Sequence, residues 1–234
     1  MIDFSKFEDR IGIVFKNKDL LKQAFIHRSY LNENPKVKMS HNERLEFLGD
    51  AVLELTVTDY LYKKYPEKAE GDLTSYRAAM VNTTSISKAA SSLGMNDFLL
   101  LSKGEAKDNG RARQYILADT YESVIGAIYL DQGYKVASEF IKDSLFDYLD
   151  EILDKGLWKD AKSFLQEQAQ EKLSITPNYD VLEQVGPDHD KHFTIGVYLG
   201  EELIAKGEGK SKQSAEQEAA AAALKIKGWE DLKK

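Results

Sequence analysis

The 234-residue chain is 42% apolar and 30% charged, contains no cysteine, and sets 32 lysines and arginines against 39 acids for a formal net charge of −7. That is enough chain for one large or two small domains with a sizeable core, and it excludes disulfides, zinc-thiolate sites and thiol nucleophiles. With no basic-then-apolar leader and no run approaching the ~20 apolar residues of a membrane span, a cytoplasmic location without a membrane partner is expected. An acidic balance also counts against nucleic acid as a partner, because phosphate binding normally leaves a basic footprint.

From Lys6 to about Asp154 the apolar residues recur three and four apart with hardly any alternation, which predicts a helical bundle. The pattern breaks after the acidic stretch 147–154 and Lys155-Gly156. Residues 161–173 read as a helix stopped by Thr176-Pro177. Residues 179–185, 192–199 and 203–206 then have strand character, with Gly186-Pro187-Asp188 and Gly200-Glu201-Glu202 as turns. A last helix, 211–226, carries the alanine run 219–223, which suits close packing on a sheet. The expected fold is mainly α: an all-helical domain over 1–150, a linker over 151–158, and a small α+β domain, ordered α-β-β-β-α, over 159–228.

Two stretches carry chemistry. In residues 41–55, HNERLEFLGDAVLEL, Glu43, Glu46 and Asp50 fall within roughly 60° of a helical wheel, with Leu45, Leu48, Val52 and Leu55 nearly opposite. Like charges at helical-neighbour spacing repel, and a solvated acidic face remains the bland alternative. In residues 117–130, LADTYESVIGAIYL, apolar residues occupy nearly the whole circumference, as in a buried helix. Asp119 and Glu122 share its one polar edge with Gly126, and this stretch holds no lysine or arginine. Carboxylates on a buried helix are costly without compensation. If the two acidic edges face each other, a divalent cation is the natural counter-charge, and oxygen-only donors favour Mg²⁺ first and Mn²⁺ second. Di-iron bundles need Glu-x-x-His pairs that both stretches lack, and a two-carboxylate glycosidase explains too few of the acids. Phosphodiester hydrolysis is the leading class on chemistry alone. His27 and His41 leave open a metal-free acid-base pair or structural capping. Phe47, beside the acids, leaves open local packing or a subunit contact.

These stretches, with FIHRSY at 25–30, EGDLT at 70–74 and KGE at 103–105, resemble the signatures of the ribonuclease III family. The NERLEFLGD and ILADTYESVIGAIYLDQG segments are its two acidic motifs, and Tyr121 and Ser123 stand where Phe and Ala are commoner. FLQE at 164–167, GPDH at 186–189 and GEGKSK at 207–212 resemble a double-stranded-RNA-binding domain. The resemblance implies a homodimeric, Mg²⁺-dependent endonuclease that cuts both strands of an RNA duplex by metal-activated water. Its products would be 5′-phosphates, 3′-hydroxyls and short 3′ overhangs, with ribosomal RNA precursors and other structured transcripts as substrates. By motif position, Glu46, Asp119 and Glu122 are the metal ligands and Asp50 belongs to the catalytic cluster. Glu43 and Glu70 fit accessory acids of the cleavage centre, and Phe47 fits a knob at the dimer interface, to which Glu70 is also assigned. A catalytically inactive RNA-binding protein of the same fold is the alternative from another class; a metal phosphohydrolase of small nucleotides is a second.

Residues 156–234 hold 11 lysines and arginines against 14 acids, so RNA binding has to rest on local arrangement. Lys210 and Lys212 fall at the expected amino end of the last helix, which favours phosphate. Ser163 and Gln166, three apart on the preceding helix, suit 2′-hydroxyls of a minor groove, and His189 suits the next one along. Lys191 is a further candidate, and Arg111 and Arg113, expected in a loop over 107–114, could steer phosphate towards the acids.

Overall fold

Local signals set many of the element ends. Asn17 and Asn82 each accept a hydrogen bond from a backbone N–H in the first turn of the helix that follows, and Gly12 closes the first helix in the left-handed region at φ 67°. The computed structural model describes residues 2–107, 110–148, 160–187 and 191–229. The expected linker, 151–158, and His189 lie outside the described residues. The chain divides into two compact units, Met1–Trp158 and Lys159–Lys234.

Among its described residues the first unit is helical: α1 (Ser5–Ile11), α2 (Lys18–Ala24), α3 (Arg28–Glu33), α4 (Glu43–Lys64), α5 (Glu70–Met80), α6 (Thr83–Ser92), α7 (Arg111–Gln132) and α8 (Tyr134–Leu145), with short 3₁₀ turns at Met95–Phe98 and Glu105–Lys107. Phe7, Phe15, Phe25, Leu53, Met80, Tyr121 and Ile125 are fully buried, and the Phe7 ring meets Phe25 edge-on at 4.9 Å between centroids. The 22-residue helices α4 and α7 pack on each other through glycine. A Cβ built on Gly49 would collide with the Glu122 carbonyl oxygen, and one on Gly126 with the Leu45 carbonyl oxygen. Helix backbones approach this closely only where side chains are absent.

The expected apolar face of α4 needs correcting. Its buried residues are Leu45, Gly49, Val52, Leu53, Thr56, Val57 and Leu61. Leu55 is instead 57% exposed and shares an outward strip with Phe47, 82% exposed, and Tyr62. Packing is centred on the Gly49 side, where α7 lies, and a helical wheel alone cannot say which of two apolar arcs faces the core.

The second unit follows the α-β-β-β-α order. Helix α9 (Ala161–Leu173) is capped by Asp160, whose carboxylate accepts from the Ser163 N–H at 2.9 Å. Strands β1 (Asn178–Val185), β2 (His192–Leu199) and β3 (Glu202–Gly209) form an antiparallel sheet in that order. Helix α10 (Lys212–Lys227) starts from a reciprocal Ser211–Ser214 capping box and buries Ala219, Ala220 and Ala223 against Val197, Leu199 and Leu165. Strand β3 outlasts the expected 203–206 because Gly207 and Gly209 still pair with Ile195 and Phe193. A Cβ on Gly207 would strike the backbone of α10 at Ala215 and Ala219, so this glycine marks a close approach rather than a strand end. No helix among the described residues is long and apolar enough to cross a membrane.

The crossing can be tested directly. Gly126→Ala should lower stability by about 1–3 kcal/mol or more through overpacking, read as a lower urea midpoint, while Gly71→Ala, with no atom within 4 Å of its built Cβ, should leave it nearly unchanged. An unaltered midpoint for Gly126→Ala would show that the two helices are not held this close.

Candidate active site at the α4–α7 crossing

The close crossing decides where the acids go. Glu46 and Asp50 flank Gly49 on α4, while Asp119 and Glu122 lie about two turns and about one turn, respectively, before Gly126 on α7. Pressing the two glycines together therefore brings carboxylates from two helices into one space. Burial and neighbouring charge act on each of them. Burial pushes Glu122 up to about 8, reinforced by the charges of Asp50, Asp119, Glu46 and Glu54. Burial likewise pushes Glu46 up to about 7, with Asp119, Glu43 and Asp50 adding to it. Asp119 and Asp50 are also raised, by burial first and then by Glu43 and Glu54 respectively. The influences run across the helix pair in both directions.

The carboxylates share this neighbourhood without closing into a ligand shell: among the described residues no group of three or more His, Cys, Asp or Glu side chains is arranged to hold one ion. As a donor set the cluster offers carboxylate oxygen alone, which suits a hard divalent cation.

Other candidates separate around it. Glu43, the first residue of α4, has a cation at hand, with Arg28 Nη1 at 3.9 Å from its carboxylate, and His41 Nδ1 lies 3.8 Å from it on the other oxygen. Glu54 was missed by the sequence reading although it follows Asp50 by four residues, the spacing that keeps it on the same edge of the helix. Glu70 opens α5, exposed, its carboxylate accepting from Thr74 Oγ1 at 3.0 Å. His27 plays the capping part: its ring accepts from the Ser29 N–H and lies 2.7 Å from the Ser29 hydroxyl, and burial holds it below the ordinary histidine range. His41 Nδ1 is buried and has no hydrogen-bond partner among the described residues. Arg111 and Arg113 do not sit in a loop, because α7 begins at Arg111. Arg113 is buried and donates to the Glu105 carbonyl at 2.8 Å, which ties down the neighbouring turn, whereas Arg111 lies over the Tyr115 ring.

In the second unit, Ser163 and Gln166 stand exposed on α9 beside Glu167 and Gln170 in one open cleft. Lys212 opens α10, and Lys210 precedes its cap, Ser211; both lysines are exposed. Lys191 lies just before β2.

A Ribonuclease-III-like family model matches residues 17–149, and a double-stranded RNA binding motif matches residues 161–227. Relatives named ribonuclease 3 include that of Borreliella burgdorferi, 48% identical over 94% of this chain and 90% of its own length. The one from Enterococcus faecalis is 46% identical over 94% of this chain and 96% of its own. Among solved structures, the nuclease domain of ribonuclease III from Campylobacter jejuni, described for structural flexibility in a region involved in dimer formation, is 42% identical with a TM-score of 0.55. That match covers 61% of this chain and 98% of the solved one. Sequence motifs, helical core and RNA-binding unit thus agree: the chain belongs to the ribonuclease III family and is an endoribonuclease acting on double-stranded RNA.

Proposed function

We propose that this chain is a Mg²⁺-dependent enzyme that hydrolyses both strands of an RNA duplex, leaving 5′-phosphate and 3′-hydroxyl ends with short 3′ overhangs, with Mn²⁺ as a working substitute. The observation that carries this reading is that burial, reinforced by the charges of acids from two helices, takes Glu122 to about 8. Glu46, Asp119 and Glu122 would hold the ion, with Asp50 beside them and Glu43 accessory. A bound dication supplies a more acidic water, orientation of the phosphate and stabilisation of the leaving oxygen. The chain's own part is to hold these carboxylates in one partly buried neighbourhood, so that they would lose their protons to solvent as a cation binds and one of them could take a proton from water.

In this reading residues 1–150 form the nuclease domain, 151–158 the linker and 159–228 the RNA-binding domain. Ser163, Gln166, Lys210 and Lys212, with His189, bind the duplex through its grooves and phosphates. Two chains pair through the outward strip of α4, with Phe47 as the knob and Glu70 close to the partner, so that a two-fold axis gives each RNA strand its own acid cluster. The exposure of Phe47, Leu55 and Tyr62 supports this, since an apolar strip of that size favours a partner. Ribosomal RNA precursors in the cytoplasm are the natural substrate.

Glu122→Gln should still bind duplex RNA in Mg²⁺ while cleavage in a single-turnover assay falls by at least about 10²-fold, roughly the scale of losing an electrostatic catalytic group. Equal cleavage by mutant and parent would remove Glu122 from the mechanism. Stability should depend on pH in a defined sense. Because Glu122 and Glu46 titrate near 8 and 7 in the folded protein, well above their usual 4.5, the folded state binds the extra protons. Their contribution is fully present below about 4.5 and lost as pH rises through 8. In metal-free buffer, Glu122→Gln should therefore melt higher than the parent at about pH 8.5, with the gap closing near pH 5. A gap that stayed constant with pH would contradict the raised value.

A further inference from the structure

We infer that Arg28 binds a backbone phosphate of the RNA strand at the edge of the acid cluster, an assignment that rests on the cluster being the cleavage centre. A polyanion approaching several carboxylates meets repulsion unless a cation stands beside them. Arg28 is placed to be that cation. Its Nη1 lies 3.9 Å from Glu43 Oε1, and Glu43 is within electrostatic reach of both Glu46 and Asp119.

The backbone beneath Arg28 is pinned on two sides. His27 N–H donates to the Leu100 carbonyl at 3.1 Å, and Leu100 N–H donates to Phe25 O at 2.9 Å. Ser102 N–H donates to the Ser29 hydroxyl, which in turn lies 2.7 Å from His27 Nδ1. Asn42 N–H, immediately before α4, donates to the Ile26 carbonyl at 2.9 Å, so the segment bearing Arg28 is tied to the start of the helix that bears the acids.

The guanidinium itself is loosely held. Its side chain is 73% exposed, its partner Glu43 is 50% exposed, and a long exposed pair of this kind contributes little. A fixed base with a weakly engaged head is what exchange requires: Arg28 can leave Glu43 for a phosphate without unfolding anything. Its planar fork can engage two phosphate oxygens at once, which lysine cannot do. Glu43 then acts as the resting partner that keeps the guanidinium near the cluster, with His41 on its other side.

The test compares the full-length parent, Arg28→Gln and Arg28→Lys. Affinity for a long RNA duplex is measured across a salt series in EDTA, and single-turnover cleavage in Mg²⁺. Arg28→Gln should lower the slope of log affinity against log salt by about one, the signature of one lost phosphate contact. Cleavage should fall about tenfold, roughly a charge-assisted hydrogen bond's worth, and Arg28→Lys should recover most of the slope and part of the rate. An unchanged slope for Arg28→Gln overturns the inference whatever the rate does, because a slower enzyme with an intact slope would mean that Arg28 acts only through Glu43. Cleavage by the parent in EDTA would instead overturn the metal reading of the cluster beneath it, so the two failures are distinguishable on the same gels.

Discussion

Gly49 and Gly126 let two long helices touch backbone to backbone, and the proposed chemistry rests on that contact. A side chain at either position would separate α4 from α7 and with them Glu46 and Asp50 from Asp119 and Glu122. The cost of the arrangement is visible in the titration of Glu122 and Glu46, pushed to about 8 and about 7 by burial and by each other's company. Glu8 is a useful contrast. It is more deeply buried, yet its carboxylate accepts from the Phe15 N–H at 2.7 Å and pairs with Lys18 at 2.6 Å. A buried acid with built-in donors is a structural tie. Glu122, acted on by burial and by four other acids, has its carboxyl raised instead, which marks it as a candidate functional group.

Much of this was legible before any coordinates. Asp119 and Glu122 stand out because they interrupt an otherwise apolar helix, and the acids of α4 because they share an edge without an intervening lysine. The alternation of β2 and the capping serine of α10 likewise carry their own physical signals. What stayed hidden depended on neighbours. Leu55 looks like core on a wheel, since the wheel shows two apolar arcs and only packing selects one. The start of α7 was missed because Gly110 offers no side-chain cap, so nothing local separates Arg111 from a loop. The expected third strand stopped at 206, short of Gly207 and Gly209, because glycine serves both turns and close approaches and only the position of α10 tells which.

The charge of the second unit illustrates the same point. Its acids outnumber its lysines, yet Lys210 and Lys212 stand exposed around the start of α10, and Ser163 and Gln166 are exposed on α9. Net charge measures the average field, whereas a duplex meets a particular face. In the proposed reading, the acidic surplus elsewhere weakens non-specific attraction and leaves recognition to these placed groups. A comparable division of labour would hold at the proposed cleavage centre, where the acids of α4 and α7 stand near the Arg28–Glu43 pair.

The most direct test of the central claim is isothermal titration of the protein with Mg²⁺ near pH 7, repeated in buffers of different ionisation enthalpy to count protons. If the acids of α4 and α7 share one cation site, binding must expel the protons that Glu122 and Glu46 hold at that pH, so release of about one proton per binding event is expected. Glu122→Gln should abolish most of that release. Mg²⁺ binding without proton release, or no Mg²⁺ binding at all, would contradict the convergence of these carboxylates on a single ion.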